Sequence, residues 1–384
     1  MRILLITNSF PSRGRLGGMF LPDLIAELNK LGCEVNILTQ NCDSNRTESE
    51  TLWKGCKVTY FGWRGNDTPL ISIFEKVKSN ILLIVHFFLN GIRVGHKISR
   101  RWEPHFIFAE WLIPAGLISY GVSRLTGVPY AARALGSDVL VATEHPLTRK
   151  FVRFVARHAS VLFADGFDLC KKTSRIAGGK ECHFAATSRK IGDKRSNFKP
   201  LKDDGLFVTL TVGRLHRMKG QDILINAAKI LNEKGIEFRS YIVGEGEEYK
   251  ALSNQIREVG LGHRVILTGR IEDGDYFDLL GHVDCVIIPS RSETIPLVLR
   301  EAVEAQKPLI VADVGDMRCL VEQYNLGYVV PREDEAKLAG AMERMSKIRN
   351  RSQFIQNGGS VVSILGVEKA ARTIYENLAR HLNW

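Results

Sequence analysis

The sequence predicts an α/β protein built from two doubly wound, Rossmann-like domains facing across a cleft. Three observations point there. Short apolar runs suited to buried parallel strands alternate with longer helical patterns along most of the chain. A polar, basic stretch over 186–204, without a hydrophobic period, divides the alternation into two series. A chain of 384 residues also has room for two domains, at roughly 150 residues each. The expected boundaries are 1–190 for a first domain and 205–360 for a second domain. A helix over 361–384 is expected to cross back to the first.

In the first series, Ile3–Thr7 reads as a buried strand. A loop with Gly14, Gly17 and Gly18 follows it, then a helix from about Met19 to Leu31. With the next strand, Glu34–Thr39, this makes a βαβ unit whose first crossover carries glycines, a common place for phosphates or a ligand's backbone. The spacing is not G-x-G-x-x-G, so a dinucleotide cofactor is not indicated. Lys57–Phe61 reads as a strand, and Asn80–Arg101 as a helix whose basic end suits the helix dipole. The same block, apolar and then basic, suits either a buried core helix or a membrane interface. Strands at His105–Ala109, Pro129–Arg133 and Ser160–Ala164 alternate with helices beginning near Pro114 and Lys150.

The second series starts at Leu206–Val212. Strands at Phe238–Val243, Arg264–Leu267, Cys285–Ile288, Pro308–Ala312 and Gly327–Val330 alternate with helices at Gln221–Lys234, up to Glu258, Tyr276–Gly281, after Ser292, and Asp334–Ile348. Val367–Leu382 is a last amphipathic helix. The turn between Ile288 and the following helix carries the strongest functional signal. A strand, a short loop and a helix start aim backbone N–H groups at an anion. Glu293 and Glu301 bracket that turn and can grip the hydroxyls of whatever bears the anion.

A formal net charge of +11 favours anionic partners. No RRM, KH or zinc-finger pattern accompanies it, so nucleic acid is not expected; phosphorylated ligands or an anionic membrane surface fit better. The seven cysteines contain no C-x-x-C pair, which reads as a reduced, cytosolic protein. The N-terminal stretch reads as a strand rather than a signal peptide. The longest apolar block, Ile81–Leu89, falls short of the ~18 residues a span needs, so no transmembrane helix is expected.

Four segments of the second series together resemble the family 4 retaining glycosyltransferases of the GT-B fold. They are V-G-R-L-x-x-x-K-G (Val212 to Gly220), V-G-E-G (Val243 to Gly246), L-T-G-R (Leu267 to Arg270) and P-S-x-x-E-T-I-P-L-V-L-x-E-A (Pro289 to Ala302), the last being the family's E-x7-E motif. The first half is similar more loosely, through Gly17-Gly18, Leu28 to Thr39, and Gly136 to Asp138. The resemblance implies a nucleotide-sugar donor, UDP- or GDP-linked, and a glycan or lipid-linked acceptor in cell-surface polysaccharide or glycolipid synthesis. No cofactor is expected, because the nucleotide sugar is a substrate.

It also implies site residues. Arg214 would fork phosphate oxygens and Lys219 add a point charge beside it. The N–H groups of Leu297 and Val298 would complete an anion pocket, with Gly17, Gly18, Gly244, Arg270 and Ile295 lining the donor. Glu301 would accept ribose hydroxyls, and Glu293 would hold the sugar. No metal is expected: Asp273-Gly274-Asp275 spells D-x-D, but Asp275 reads as a helix N-cap.

The chain departs from the family at Leu135, where many members carry a histidine before G-S-D. Glu110 or Asp138 could take over that part of the chemistry, or leaving-group and Glu293 contacts could suffice. Cytoplasmic location, peripheral on the inner face of the plasma membrane, fits these expectations. The alternatives are a nucleotide-sugar-binding partner without transfer activity, or a GT-B epimerase or phosphorylase.

Overall fold

The computed structural model describes residues 1–10, 18–41, 48–53, 55–63, 77–140, 143, 145–190 and 205–384. Gly17 and most of the expected linker lie outside these residues. The chain divides into two compact units, Met1–Arg189 with Val367–Trp384, and Lys190–Gly366.

The first unit runs β1 (Arg2–Ile6), α1 (Leu21–Lys30), β2 (Glu34–Gln40), β3 (Ser49–Trp53), β4 (Cys56–Phe61), α2 (Val77–Trp102), β5 (Phe106–Glu110), α3 (Ala115–Thr126), β6 (Tyr130–Ala134), α4 (Ser137–Leu140), α5 (Pro146–His158), β7 (Val161–Ala164), α6 (Phe167–Ile176) and β8 (Cys182–Phe184). Its eight strands lie in the order β3-β4-β2-β1-β5-β6-β7-β8. All pairs are parallel except β3 with β4.

Side-chain alternation decides which face each residue serves. Leu4 and Ile6 of β1, with Ile107 and Ala109 of β5, enter a layer formed with α2, α3 and α5. Ile3, Leu5, Phe106 and Phe108 enter the opposite layer, covered by α1 and by a helix from the far end of the chain. A parallel sheet covered on both faces explains why its strands read as continuous apolar runs rather than as an alternation.

The second unit runs β9 (Phe207–Val212), α7 (Gln221–Glu233), β10 (Phe238–Val243), α8 (Tyr249–Glu258), β11 (Val265–Gly269), α9 (Asp273–His282), β12 (Cys285–Ile288), α10 (Leu297–Glu304), β13 (Leu309–Ala312), α11 (Met317–Gln323), β14 (Gly327–Val330), α12 (Glu335–Ser346) and α13 (Gly358–Ile364). Its sheet has the order β11-β10-β9-β12-β13-β14, parallel throughout. The closing helix α14 (Val367–His381) belongs to the first unit, whereas 361–366 stay with the second. Val367, Ala370, Ala371, Ile374 and Leu378 of α14 share an apolar layer with Leu21, Leu24, Ile25 and Leu28 of α1. In both helices three- and four-residue spacing gathers these side chains on one face.

Three local expectations are corrected. The helix expected from Asn80 extends over Val77–Trp102, and its Asn80–Trp102 portion is long and apolar enough to cross a bilayer by length and composition. The nine-residue block alone understated it, because polar residues such as Asn90 interrupt the run without breaking the helix. One face of α2 packs inward: Ile84, Phe87 and Val94 are buried, and Gly91 and Gly95 allow close approach to Ile118 and Val122 of α3. The opposite face leaves Ile81, Leu82, Val85 and Leu89 exposed. The helix expected from Lys150 starts at Pro146, with the His145 ring accepting the Leu147 N–H. The helix expected from Tyr276 starts at Asp273, after Glu272, so Asp275 lies in its first turn and is not the N-cap.

Candidate functional site

In the second sheet the strand order reverses between β9 and β12, which pair directly through Thr209 with Cys285 and Leu210 with Val286. The carboxyl ends of two such strands are the usual ligand site of open α/β sheets. The loop after β9 carries Arg214 and, through a 3-10 turn over Arg217–Lys219, Lys219. The loop after β12 carries Glu293.

The two loops meet. The Lys219 ammonium donates to Glu293 Oε1, which also accepts the Ser290 hydroxyl at 3.1 Å. The Glu293 side chain is 12% exposed and that of Lys219 33%. Arg291 stitches the loops from behind: its N–H donates to the Met218 carbonyl at 2.8 Å, and Nη1 to the Arg217 carbonyl at 2.6 Å. Its guanidinium also forks both oxygens of Asp222, in the first turn of α7, and donates from Nε to Glu333 at 2.7 Å. These bonds, Asp222's first, push the Arg291 pKa above its usual value.

Beyond Pro296, α10 begins, with no side-chain cap. The Leu297 and Val298 N–H groups stand in its first turn, where a helix offers no internal acceptor. Ile295 and Val298 are buried beneath the turn. Glu301 is also buried, and its Oε2 accepts the Tyr276 phenol of α9 at 2.6 Å.

Arg214 stands outward, its side chain 69% exposed and paired to Glu247 at 3.1 Å. Gly244 follows β10 at φ +148°, and a Cβ there would lie 1.9 Å from the Gly213 carbonyl oxygen. Only glycine lets these two turns approach so closely. Arg270 is exposed at the end of edge strand β11. With β10 between β11 and β9, it stands about 10 Å along the sheet from the β9 terminus, taking ~4.8 Å per strand. The structure thus joins Lys219, Glu293 and Ser290 directly and sets Arg270 at the rim. Cations, helix-start N–H groups and two carboxylates together can hold an anion and orient hydroxyls. Among the described residues, no three His, Cys, Asp or Glu side chains group as a metal site.

The expected residues of the first unit stand differently. Gly18 has φ +72°, and a Cβ there would meet the Ser9 carbonyl oxygen at 2.0 Å, so the turn after β1 requires glycine. Glu110 is fully buried and forks Arg133 at 2.8 and 2.9 Å. Burial pushes its carboxyl pKa up, and Arg133 pulls it back. Sealed in this way, Glu110 does not stand in for a substrate-facing histidine.

Asp138 is 3% exposed, and its two oxygens accept the Leu112 N–H at 2.8 Å and the Leu135 N–H at 3.1 Å. Burial pushes its carboxyl up to about 6, against four backbone N–H groups that lower it. This geometry clamps the β5–α3 and β6–α4 turns together. Leu135 packs with Trp111 against the layer that holds Phe20.

Sequence reasoning missed Tyr276 and the Arg291–Asp222 clasp. Tyr276 read only as a helix opening, and its phenol reaches a residue 25 positions away. Arg291 occupies an unspecified position of the turn motif. Its partner, Asp222, lies in α7, far off in the chain, and a single sequence shows no such link.

Residues 193–360 match the family described as Glycosyl transferases group 1. The chain is 26% identical over 365 residues to the putative teichuronic acid biosynthesis glycosyltransferase TuaC of Bacillus subtilis, covering 90% of this chain and 89% of that protein. It is 26% identical over 276 residues to the alpha-D-kanosaminyltransferase of Streptomyces kanamyceticus, covering 67% and 70%. Among solved structures, Anabaena HepE in complex with UDP-glucose superposes with a TM-score of 0.74 at 20% identity, covering 99% of this chain and all of that one.

Proposed function

Because this chain belongs to the group 1 (GT4) glycosyltransferases and has the GT-B class of fold, we propose that it moves a hexosyl group from a UDP- or GDP-sugar to a hydroxyl of a glycan or lipid-linked acceptor. Transfer proceeds with retention of configuration and without a metal ion. The observation that carries this reading is the Lys219–Glu293 pair at the β9/β12 reversal. A cation for the leaving diphosphate and a carboxylate for the sugar stand side by side.

In the transfer, the C1–O bond to the diphosphate breaks and the acceptor oxygen bonds C1 on the same face. The acceptor's proton passes to the departing phosphate oxygen. Lys219, Arg214 and the Leu297 and Val298 N–H groups take up the charge that develops on the diphosphate. Glu293 holds sugar hydroxyls, and Glu301 accepts those of the ribose. Gly244 and Ile295 shape the space around the donor, and Arg270 adds positive charge at the rim. Asp138 acts as a positioning residue, fixing the turns that flank Leu135. UDP-glucose in HepE and teichuronic acid synthesis for TuaC support a nucleotide-sugar donor and a cell-surface polysaccharide product.

The protein works in the cytoplasm, peripheral to the membrane, with the first unit on the acceptor side. Exposed Ile81, Leu82, Val85 and Leu89 of α2, and Leu147, Phe151 and Phe154 of α5, support this placement. Lys150, Arg153 and Arg157 stand exposed among the α5 residues, a mixture suited to an anionic interface.

The test is a thermal-shift panel of UDP-, GDP- and ADP-sugars, followed by Glu301→Ala against the sugar selected. Stabilisation by a UDP- or GDP-sugar that the variant loses supports the reading; an unchanged response in the variant removes it. Leu135, which offers neither donor nor acceptor, favours a second reading: a nucleotide-sugar-binding partner without turnover. Donor binding with no transfer to any acceptor extract would select that one.

A further inference from the structure

Tyr276 and Glu301 come from different helices, α9 and α10, and each is 3% exposed. Burying a carboxylate is costly unless hydrogen bonds replace its water. The phenol supplies one, at 2.6 Å to Oε2, within the short range of charge-assisted O–H···O⁻ bonds. It also fixes the rotation of the carboxylate, because Oε2 is tied to a rigid ring packed within α9.

We infer that Tyr276 is the positioning residue for the nucleoside half of the donor: it holds Glu301 oriented so that the carboxylate receives the ribose 2′,3′-diol. The inference rests on the assignment of Glu301 to the ribose. Its consequence is selective. Loss of the phenol weakens recognition of the ribose hydroxyls and leaves recognition of the diphosphate untouched, since Lys219 lies on the β9 loop and has no bond to Tyr276 or Glu301.

The experiment is calorimetric titration of wild type, Tyr276→Phe, Glu301→Ala and the double variant with UDP, GDP, their 2′,3′-dideoxy counterparts and inorganic pyrophosphate. Tyr276→Phe keeps the ring and removes the donor. It should weaken the preferred nucleotide about tenfold, the scale of one hydrogen bond to a charged group. It should leave the dideoxy nucleotide and pyrophosphate unchanged, and add nothing once Glu301 is gone. In turnover it should raise the donor KM with kcat held. Should Tyr276→Phe fold poorly, Tyr276→Met leaves the slot filled without a donor and should give the same pattern.

Equal weakening of all ligands would mean a purely structural role and overturn the inference. So would an unchanged UDP or GDP affinity in Tyr276→Phe while Glu301→Ala weakens it. If Glu301→Ala has no effect either, the ribose assignment itself fails, a result separable from the failure of Tyr276 alone.

Discussion

Arg291 clasps Asp222 through two parallel hydrogen bonds, Nη1 to Oδ1 at 2.8 Å and Nη2 to Oδ2 at 2.7 Å. The same side chain binds the Arg217 carbonyl, so one guanidinium holds the Glu293 loop against the Lys219 loop. Arg291→Lys should therefore cost about 1–2 kcal/mol of stability in urea unfolding, the scale of hydrogen bonds to charged groups. The low end applies because the Asp222 side chain stays 40% exposed. An ammonium lacks the fork, so donor kcat/KM should fall further than stability alone explains. An unchanged kcat/KM would separate the clasp from the site.

Lys219→Met should remove the charge beside the departing diphosphate. By analogy with loss of a single transition-state donor, kcat should drop about a hundredfold or more, measured by single-turnover release of nucleotide. A change confined to KM would place Lys219 in ground-state binding only.

Glu110→Gln leaves the fully buried Arg133 without its carboxylate. Breaking such a pair costs about 3–5 kcal/mol, to be read from urea unfolding. The double change Glu110→Leu with Arg133→Met should recover much of the loss, because it leaves no buried charge.

Asp138 gives stability a defined pH dependence. Its carboxyl is raised from 3.8 to about 6 in the fold, so the native state binds the proton more tightly than the unfolded chain does. The contribution is fully present below pH 3.8 and is lost as pH rises through about 6. Unfolding of wild type relative to Asp138→Asn, followed from pH 4 to 7, should show the wild-type advantage shrinking with pH. An advantage that grows would reverse the assignment.

Leu82→Glu with Leu89→Glu should abolish retention on vesicles containing anionic lipid at low salt and leave donor binding intact. Both side chains are largely exposed, at 81% and 64%, so the folding cost should be small. Equal retention of the double variant would move membrane contact away from α2.

Both sheets were legible in the sequence because their strands are buried on two faces and read as unbroken apolar runs. Edge strand β3, Ser49–Trp53, was not, because its residues are mostly exposed and polar; β8 was too short at three residues. The turns that carry Lys219 and Glu293 were legible as strand-to-helix turns because each follows a strand end in a recognisable order. What stayed hidden were pairings between separate helices and loops, Tyr276 with Glu301 and Arg291 with Asp222, which depend on packing angles. The clamp that Asp138 makes between two turns stayed hidden for a related reason. A carboxylate in a turn after a strand suits either chemistry or capping, and only the direction of its oxygens decides.

The packing of α14 on α1 has a bearing on how the polypeptide is made. The second unit is one continuous stretch, Lys190–Gly366, and has all its residues available once that stretch has left the ribosome. The first unit stays uncovered along α1 until Val367–His381 emerges. During synthesis the nascent first unit therefore exposes Leu21, Leu24, Ile25 and Leu28 throughout translation of the second, a natural holding point for a chaperone. A chain interrupted before Val367 would carry that apolar strip permanently.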